Sequence, residues 1–139
     1  MTKTAVLGAD PGAGPCVFCA IVEGRSPATV VAEWPDAIAI IPLGPCGPRH
    51  RLVIPRVHVR DALEDPDVNV ATIRRATELA SAQGGDCHLI ANVGPNAEQT
   101  VFHLHWHVVG REAGDSLALW PAKNPAPAEP ARPKNREAT

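Results

Sequence analysis

His103, His105 and His107 recur at every second position of the run Val101-Phe102-His103-Leu104-His105-Trp106-His107-Val108-Val109, and only apolar residues lie between them. An imidazole changes charge near neutral pH, is nucleophilic when neutral, and has two ring nitrogens that each need a partner. Three such rings are expensive as core filling and useful as a site that handles a transferable group. Side chains alternate across a strand, so the pattern predicts a strand from Thr100 to Val109. One face would carry the three histidines. The other would carry Phe102, Leu104, Trp106 and Val108 into a core. Residues two apart on a strand are about 6.7 Å apart, which would set the rings in a row over one concave surface. A neutral imidazole is a competent nucleophile and can split one displacement into two easier steps. Amide, hydroxyl and imidazole donors can then stabilise the charge in flight.

A second group of chemically able residues opens the apolar segment Cys16 to Val22. Cys16-x-x-Cys19 offers two soft ligands at a spacing that suits tetrahedral zinc, although a redox pair or two buried thiols would read the same. Cys46 and Cys87 read as free thiols, and His88 as a strand residue without a catalytic part.

These residues need elements to hold them. Thr29 to Trp34 is β-branched and reads as a strand stopped by Pro35-Asp36. Ala37 to Ile41 is a second strand, with Arg51 to Ile54 as its partner across the Pro- and Gly-rich loop PLGPCGPRH. His58 follows that partner's exit. Asp65-Pro66-Asp67 is a helix start, and Val70, Ile73, Thr77 and Ala80 have helical spacing, so a helix is expected from about Asp67 to Ala82, ending at Gly84-Gly85. Cys87 to Asn92 is a further strand. The order predicts an α+β domain with a mostly antiparallel sheet and one main helix. Residues 1–14 read as a flexible leader, 15–120 as the domain, and 121–139 as a Pro-rich tail without fixed structure, although Trp120 could still pack.

The whole chain narrows the function. Its 139 residues suit one domain with a proper core. A formal net charge of −2 argues against a nucleic-acid groove or an anionic-membrane patch. Tyr is absent and aromatics are few, which disfavours base-stacking platforms. The sequence MTKTAVLGADPGAGP contains no apolar export segment, so a cytoplasmic location with reduced thiols is expected.

Three blocks in the right order resemble the histidine triad (HIT) family of nucleotide hydrolases and transferases. CVFCAIVEGRSPATVV looks like the family's opening segment. RHRLVIPRVH resembles its Gly-His-x-Leu-Val-Ile-Pro-Lys-x-His signature. ANVGPNAEQTVFHLHWHVV fits its Asn-x-Gly block and triad. The resemblance covers about Cys16 to Arg111.

What the resemblance implies is a HIT-like, homodimeric fold that binds a purine nucleotide or nucleotide conjugate with its α-phosphate against the triad. His105 would be the nucleophile of a transient nucleotidyl-histidine, and His107 its partner for phosphate or ribose contact and proton traffic, with His103 beside them. Gln99 and Thr100 would hydrogen-bond phosphate or the leaving group. Asn92 would contact phosphate or ribose, His50 would line the pocket, and Phe18, Ile21 and Ile40 would wall the base. Some relatives complete a structural zinc site with two histidines, which here would be His58 and His103 joining Cys16 and Cys19. His50 is the alternative third ligand. No metal is implied for the catalysis itself.

Two departures bear on substrate choice. The family's ribose-gripping Asp, eight residues before the strand histidine, is replaced by Pro42, and a lost charge-assisted bond costs on the order of 1.5–3 kcal/mol. The family's Gly before that histidine is Arg49, which reads as a solvated loop residue or as a contact for an extra phosphate. The sequence leaves a nucleoside phosphoramidase and a dinucleoside polyphosphate hydrolase equally open. A nucleotide- or zinc-binding module without turnover is the reading from another class, and a catalytic metal on all three triad histidines is a third.

Overall fold

Ile38 and Ile40 alternate with Ala37 and Ala39, and Leu52 and Ile54 with Val53, so each of these segments offers a bulky face and a slimmer one. In the computed structural model, which describes residues 15–119 and 132–135, they form adjacent strands of one antiparallel sheet. The elements are α1 (Val17–Val22), β1 (Thr29–Glu33), β2 (Ala37–Ile41), β3 (His50–Pro55), α2 (Pro66–Gln83), β4 (Asp86–Ile90) and β5 (Trp106–Arg111). The strand order is β1-β2-β3-β5-β4, with every neighbouring pair antiparallel. This is the expected α+β architecture with one main helix.

Each face of the sheet has its own core. On the first, Ile38, Ile40, Leu52 and Ile54 bury Phe18 of α1. On the second, Ala37, Ala39, Val53 and Val108 receive Ala76 of α2. Asp65 starts α2 by accepting from the backbone N–H groups of Asp67 and Val68 at 3.0 and 3.2 Å. Pro66 needs no such partner. Gly84, at φ 71°, stops the helix.

The helix is where it was expected, but its inward stripe is rotated. Thr72 and Ala76 are buried, while Val70 is 61% exposed. Small residues on both sides let the helix lie close to Ala37 and Ala39, and the Thr72 hydroxyl is satisfied by donating to Val68 O at 2.8 Å. Trp106 anchors the other end by donating its indole N–H to Asn69 Oδ1 at 2.9 Å.

The larger difference lies in the triad. The strand starts at Trp106, so residues 100–105 are not part of the ladder. Their polar groups find partners elsewhere. Leu104 N–H donates to Val59 O at 2.8 Å, and His103 and His105 use nearby carbonyls. Cys16 to Val22, expected only as apolar, forms α1 behind a Cys16 cap. β4 ends two residues early, at Ile90.

Four residues of the Pro-rich tail, 132–135, lie on the end of α2. Gly85 N–H donates to Pro133 O at 2.6 Å and Asn135 N–H to Gln83 O at 3.1 Å. The Asn135 side-chain amide also donates to Ser81 O and Ala82 O, capping helix carbonyls. Residues 1–14, Trp120 and the rest of the tail lie outside the described residues. Among the described residues, no helix is long and apolar enough to cross a membrane.

Candidate active site and metal centre

The break before Trp106 gives the three triad rings different surroundings. His103 is fully buried, and its Nε2–H donates to Pro55 O at 2.9 Å. A carbonyl can only accept, so the His103 Nδ1 lone pair faces the other way. There it meets Cys16 Sγ at 3.4 Å, Cys19 Sγ at 3.6 Å and His58 Nδ1 at 3.1 Å. Cys19 Sγ and His58 Nδ1 are 3.3 Å apart.

One ligand atom from each of Cys16, Cys19, His58 and His103 lies within 4.8 Å of the others. A tetrahedron with zinc–sulfur bonds near 2.3 Å and zinc–nitrogen bonds near 2.0 Å has edges of roughly 3.3–3.8 Å, close to the separations here. Burial first, then Cys16, pushes the Cys19 thiol up to about 11, while burial pulls His103 down to about 4. The neutral imidazole suits a ligand, and a shared positive charge would reverse the penalty on the thiolates. The donor set therefore fits a divalent metal, and the outer bond from His103 to Pro55 O is the orienting contact such sites use. His50, the alternative ligand, is elsewhere.

His105 is buried, and its Nδ1–H donates to His103 O at 2.8 Å. That bond fixes the tautomer and leaves the Nε2 lone pair unprotonated. Phe18 packs edge-on against the ring, with centroids 5.1 Å apart. Burial lowers the imidazole's pKa from its ordinary 6.5, which keeps the ring neutral.

His107 belongs to a different chain of bonds. Cys46 N–H donates to His50 Nδ1 at 2.9 Å, so neutral His50 carries its proton on Nε2. That proton is donated to His107 Nδ1 at 2.9 Å. Neutral His107 must then carry its own proton on Nε2. Burial lowers His50, and burial with His105 and His50 takes His107 down to about 4. Two rings with centroids 5.0 Å apart thus hold opposite roles: His105 has a free lone pair and His107 a free N–H.

The remaining sequence candidates divide. Phe18 and Ile40 are buried and Ile21 is half-buried in the apolar cluster on this face. Thr100 is exposed, and half-buried Asn92 donates to Ala97 O at 2.6 Å. Gln99, expected to reach phosphate, instead commits its buried amide to the backbone. It donates to Arg60 O at 2.9 Å and Val101 O at 3.1 Å and accepts from Gly94 N–H at 2.8 Å. The motif gave no sign of this, because a loop brace and a ligand donor need the same side chain. Pro42 is half-buried just after β2. Arg49 is no solvated loop residue. Its side chain is 11% exposed and donates to backbone carbonyls.

The His-x-His-x-His run that leads into β5 of this antiparallel sheet is the feature for which the histidine triad class is named. A family model for the HIT domain matches residues 23–114, and the chain belongs to that family. It is 37% identical over 115 residues to a HIT-like protein of Mycobacterium tuberculosis, covering 76% of this chain and 77% of that one. It is 32% identical over 118 residues to an adenylylsulfatase of Arabidopsis thaliana, covering 78% and 79%. An adenosine 5'-monophosphoramidase of Schizosaccharomyces pombe is 30% identical over 119 residues, covering 82% and 89%. Among solved structures, a zinc-bound histidine triad family protein from Mycobacterium smegmatis superposes with a TM-score of 0.64 at 35% identity, covering 78% of this chain and 84% of the other. The family and these relatives support nucleotide hydrolase or transferase chemistry in general.

Proposed function

We propose that this chain hydrolyses or transfers at the α-phosphate of a purine nucleotide conjugate through a covalent nucleotidyl-His105 intermediate. The observation that carries the reading is the 2.8 Å bond from His105 Nδ1–H to His103 O, which leaves Nε2 as a lone pair. That lone pair forms the N–P bond as the bond from phosphorus to the leaving group breaks. An amine leaving group takes up a proton from solvent, whereas a sulfate or nucleotide departs as the anion. The His107 N–H donates to a non-bridging oxygen in both steps. Water then adds at phosphorus and the N–P bond breaks. The nucleoside monophosphate is released, a proton is lost, and His105 is again neutral.

The adenylylsulfatase and phosphoramidase relatives favour an adenylyl group on a sulfate or amine, and Phe18, Ile21 and Ile40 supply an apolar wall for the base. Pro42 offers no carboxylate to the ribose, so ribose recognition is weaker than the family's pattern. Cys16, Cys19, His58 and His103 would hold a structural zinc, which when bound cross-links these segments and neutralises the thiolates.

The test is a panel of adenosine and guanosine phosphoramidates, adenylyl sulfate and dinucleoside polyphosphates, assayed across pH with and without chelator. Protonation of His105 removes its lone pair, so activity falls as pH drops through the folded-state pKa. The lowered pKa values of His105 and His50, and that of His107 near 4, place the acid limb of kcat/KM below 6.5. A limb at or above 6.5 would contradict the buried neutral site. Absence of turnover with every substrate would favour a binding module, and loss of catalysis on chelation without unfolding would favour a catalytic metal.

The reading includes a homodimer, with β1 and β4, the strands at the two ends of the sheet, as candidate edges. Light scattering should give about twice the chain mass of 14.7 kDa. A monomer at micromolar concentration would remove this part of the reading.

A further inference from the structure

Arg49 replaces a glycine of the family signature, and the structure has built room for it. Its Nη1 donates to Gly84 O at 2.8 Å, and its Nη2 to Arg111 O at 3.2 Å and Asp86 O at 3.4 Å. One guanidinium thus ties the end of α2, the start of β4 and the end of β5 to the start of β3. Two glycines make the space. A Cβ on Gly110 would stand 2.6 Å from the Arg49 Cζ, and one on Gly85 would stand 3.0 Å from its Nη2.

Outside this clamp, Glu112 accepts from Arg49 at 3.3 Å and from Lys134 at 3.1 Å, so the docked tail segment closes over it. Inside, the Arg49 carbonyl accepts from Gly110 N–H at 3.2 Å, and the next residue is His50, paired in register with Val109. His50 is the ring that hands its proton to His107.

We propose that Arg49 is a positioning residue, clasped by Glu112 and Lys134, that fixes the start of β3 so that His50 sets the tautomer of His107. This rests on the proposed catalytic reading for its kinetic consequence, but the tautomers can be read without any substrate. Lysine cannot replace the planar fork, since its ammonium is a point charge that cannot reach three carbonyls in one plane.

The experiment records long-range 15N–1H spectra of the histidine rings in the full-length zinc-loaded protein, together with kcat and KM on the best panel substrate. The variants are Arg49→Gly, Arg49→Lys, Glu112→Lys and Lys134→Glu. In the wild type, His50 and His107 each show a single Nε2-protonated tautomer. In Arg49→Gly the tautomers of both rings mix, and kcat falls about 10- to 100-fold with KM little changed, as expected for a misplaced group. Arg49→Lys falls between the two. Each single charge reversal broadens the His50 signals, Glu112→Lys more than Lys134→Glu, because it sets a like charge directly beside Arg49.

Unchanged tautomers and kcat in folded Arg49→Gly, with only a lower melting temperature, would overturn the proposal and leave Arg49 a stability residue. An unchanged His50 spectrum in Lys134→Glu would remove Lys134 from the clasp. If the wild type turned over no substrate while the tautomers still mixed in Arg49→Gly, the catalytic reading would fall and the positioning claim would stand.

Discussion

Replacing His105 with Ala is expected to lower turnover of the best adenylyl substrate by at least ~10³-fold, with substrate binding largely kept. The size of the effect follows from what the ring does. Its Nε2 is the lone pair at this site that the backbone leaves unprotonated, because Nδ1–H is committed to His103 O at 2.8 Å. His107 cannot take over, since the His50 bond makes its free nitrogen a donor. Without the nucleophile, the remaining donors stabilise only direct attack by water, which is far slower. The measurement is nucleoside monophosphate release under single turnover, with a rapid quench at alkaline pH to preserve the acid-labile N–P bond. The wild type should carry a nucleotidyl adduct on a histidine peptide, and the variant none. Undiminished turnover in His105→Ala would refute the nucleophile.

The second large effect concerns metal. Protein purified without chelator should contain close to one zinc per chain, and Cys16→Ser or Cys19→Ser should lose it. Stability should fall by on the order of 3 kcal/mol or more, since metal binding free energy becomes folding free energy when the ligands come from separate segments. For a chain of this length that is a drop of roughly 10 °C in melting temperature. The loss should also reach the chemistry. His103 holds the cluster with its ring and accepts the His105 proton with its carbonyl, so a loosened His103 blurs the tautomer of its neighbour. A smaller loss of kcat than in His105→Ala is expected, recovered on adding zinc to chelated wild type but not to Cys16→Ser. Zinc-free protein with unchanged melting behaviour would refute the structural site.

Much of this is legible in the sequence. The alternation of Ile38 and Ile40 with Ala37 and Ala39 dictates a two-faced strand, and Asp65-Pro66 dictates a helix start, because both are local consequences of backbone geometry. Cys16 and Cys19 have a spacing that suits metal ligands, which a redox pair would share, and the fold adds His58 and His103 to them. The histidine at every second position marks this stretch as the place for chemistry, and the motif blocks identify the class.

The roles within the site were not local. Alternation alone predicted a continuous strand with equivalent rings. Hydrogen bonds to Val59 O and Pro55 O, carbonyls from a segment that meets the triad only in the folded chain, hold residues before Trp106 off the ladder, while His105 turns to the carbonyl of His103 two residues back. Gln99 and Arg49 misled for the same reason: a side chain that can bond a ligand can equally bond a distant backbone, and only packing decides which is in reach. The sequence determined which residues could do chemistry. The tertiary structure decided which nitrogen of each ring holds a proton: His103 and His107 are set by Pro55 O and His50, brought from elsewhere in the fold, and His105 and His50 by His103 O and Cys46 N–H, near neighbours that only the folded backbone aims at the ring.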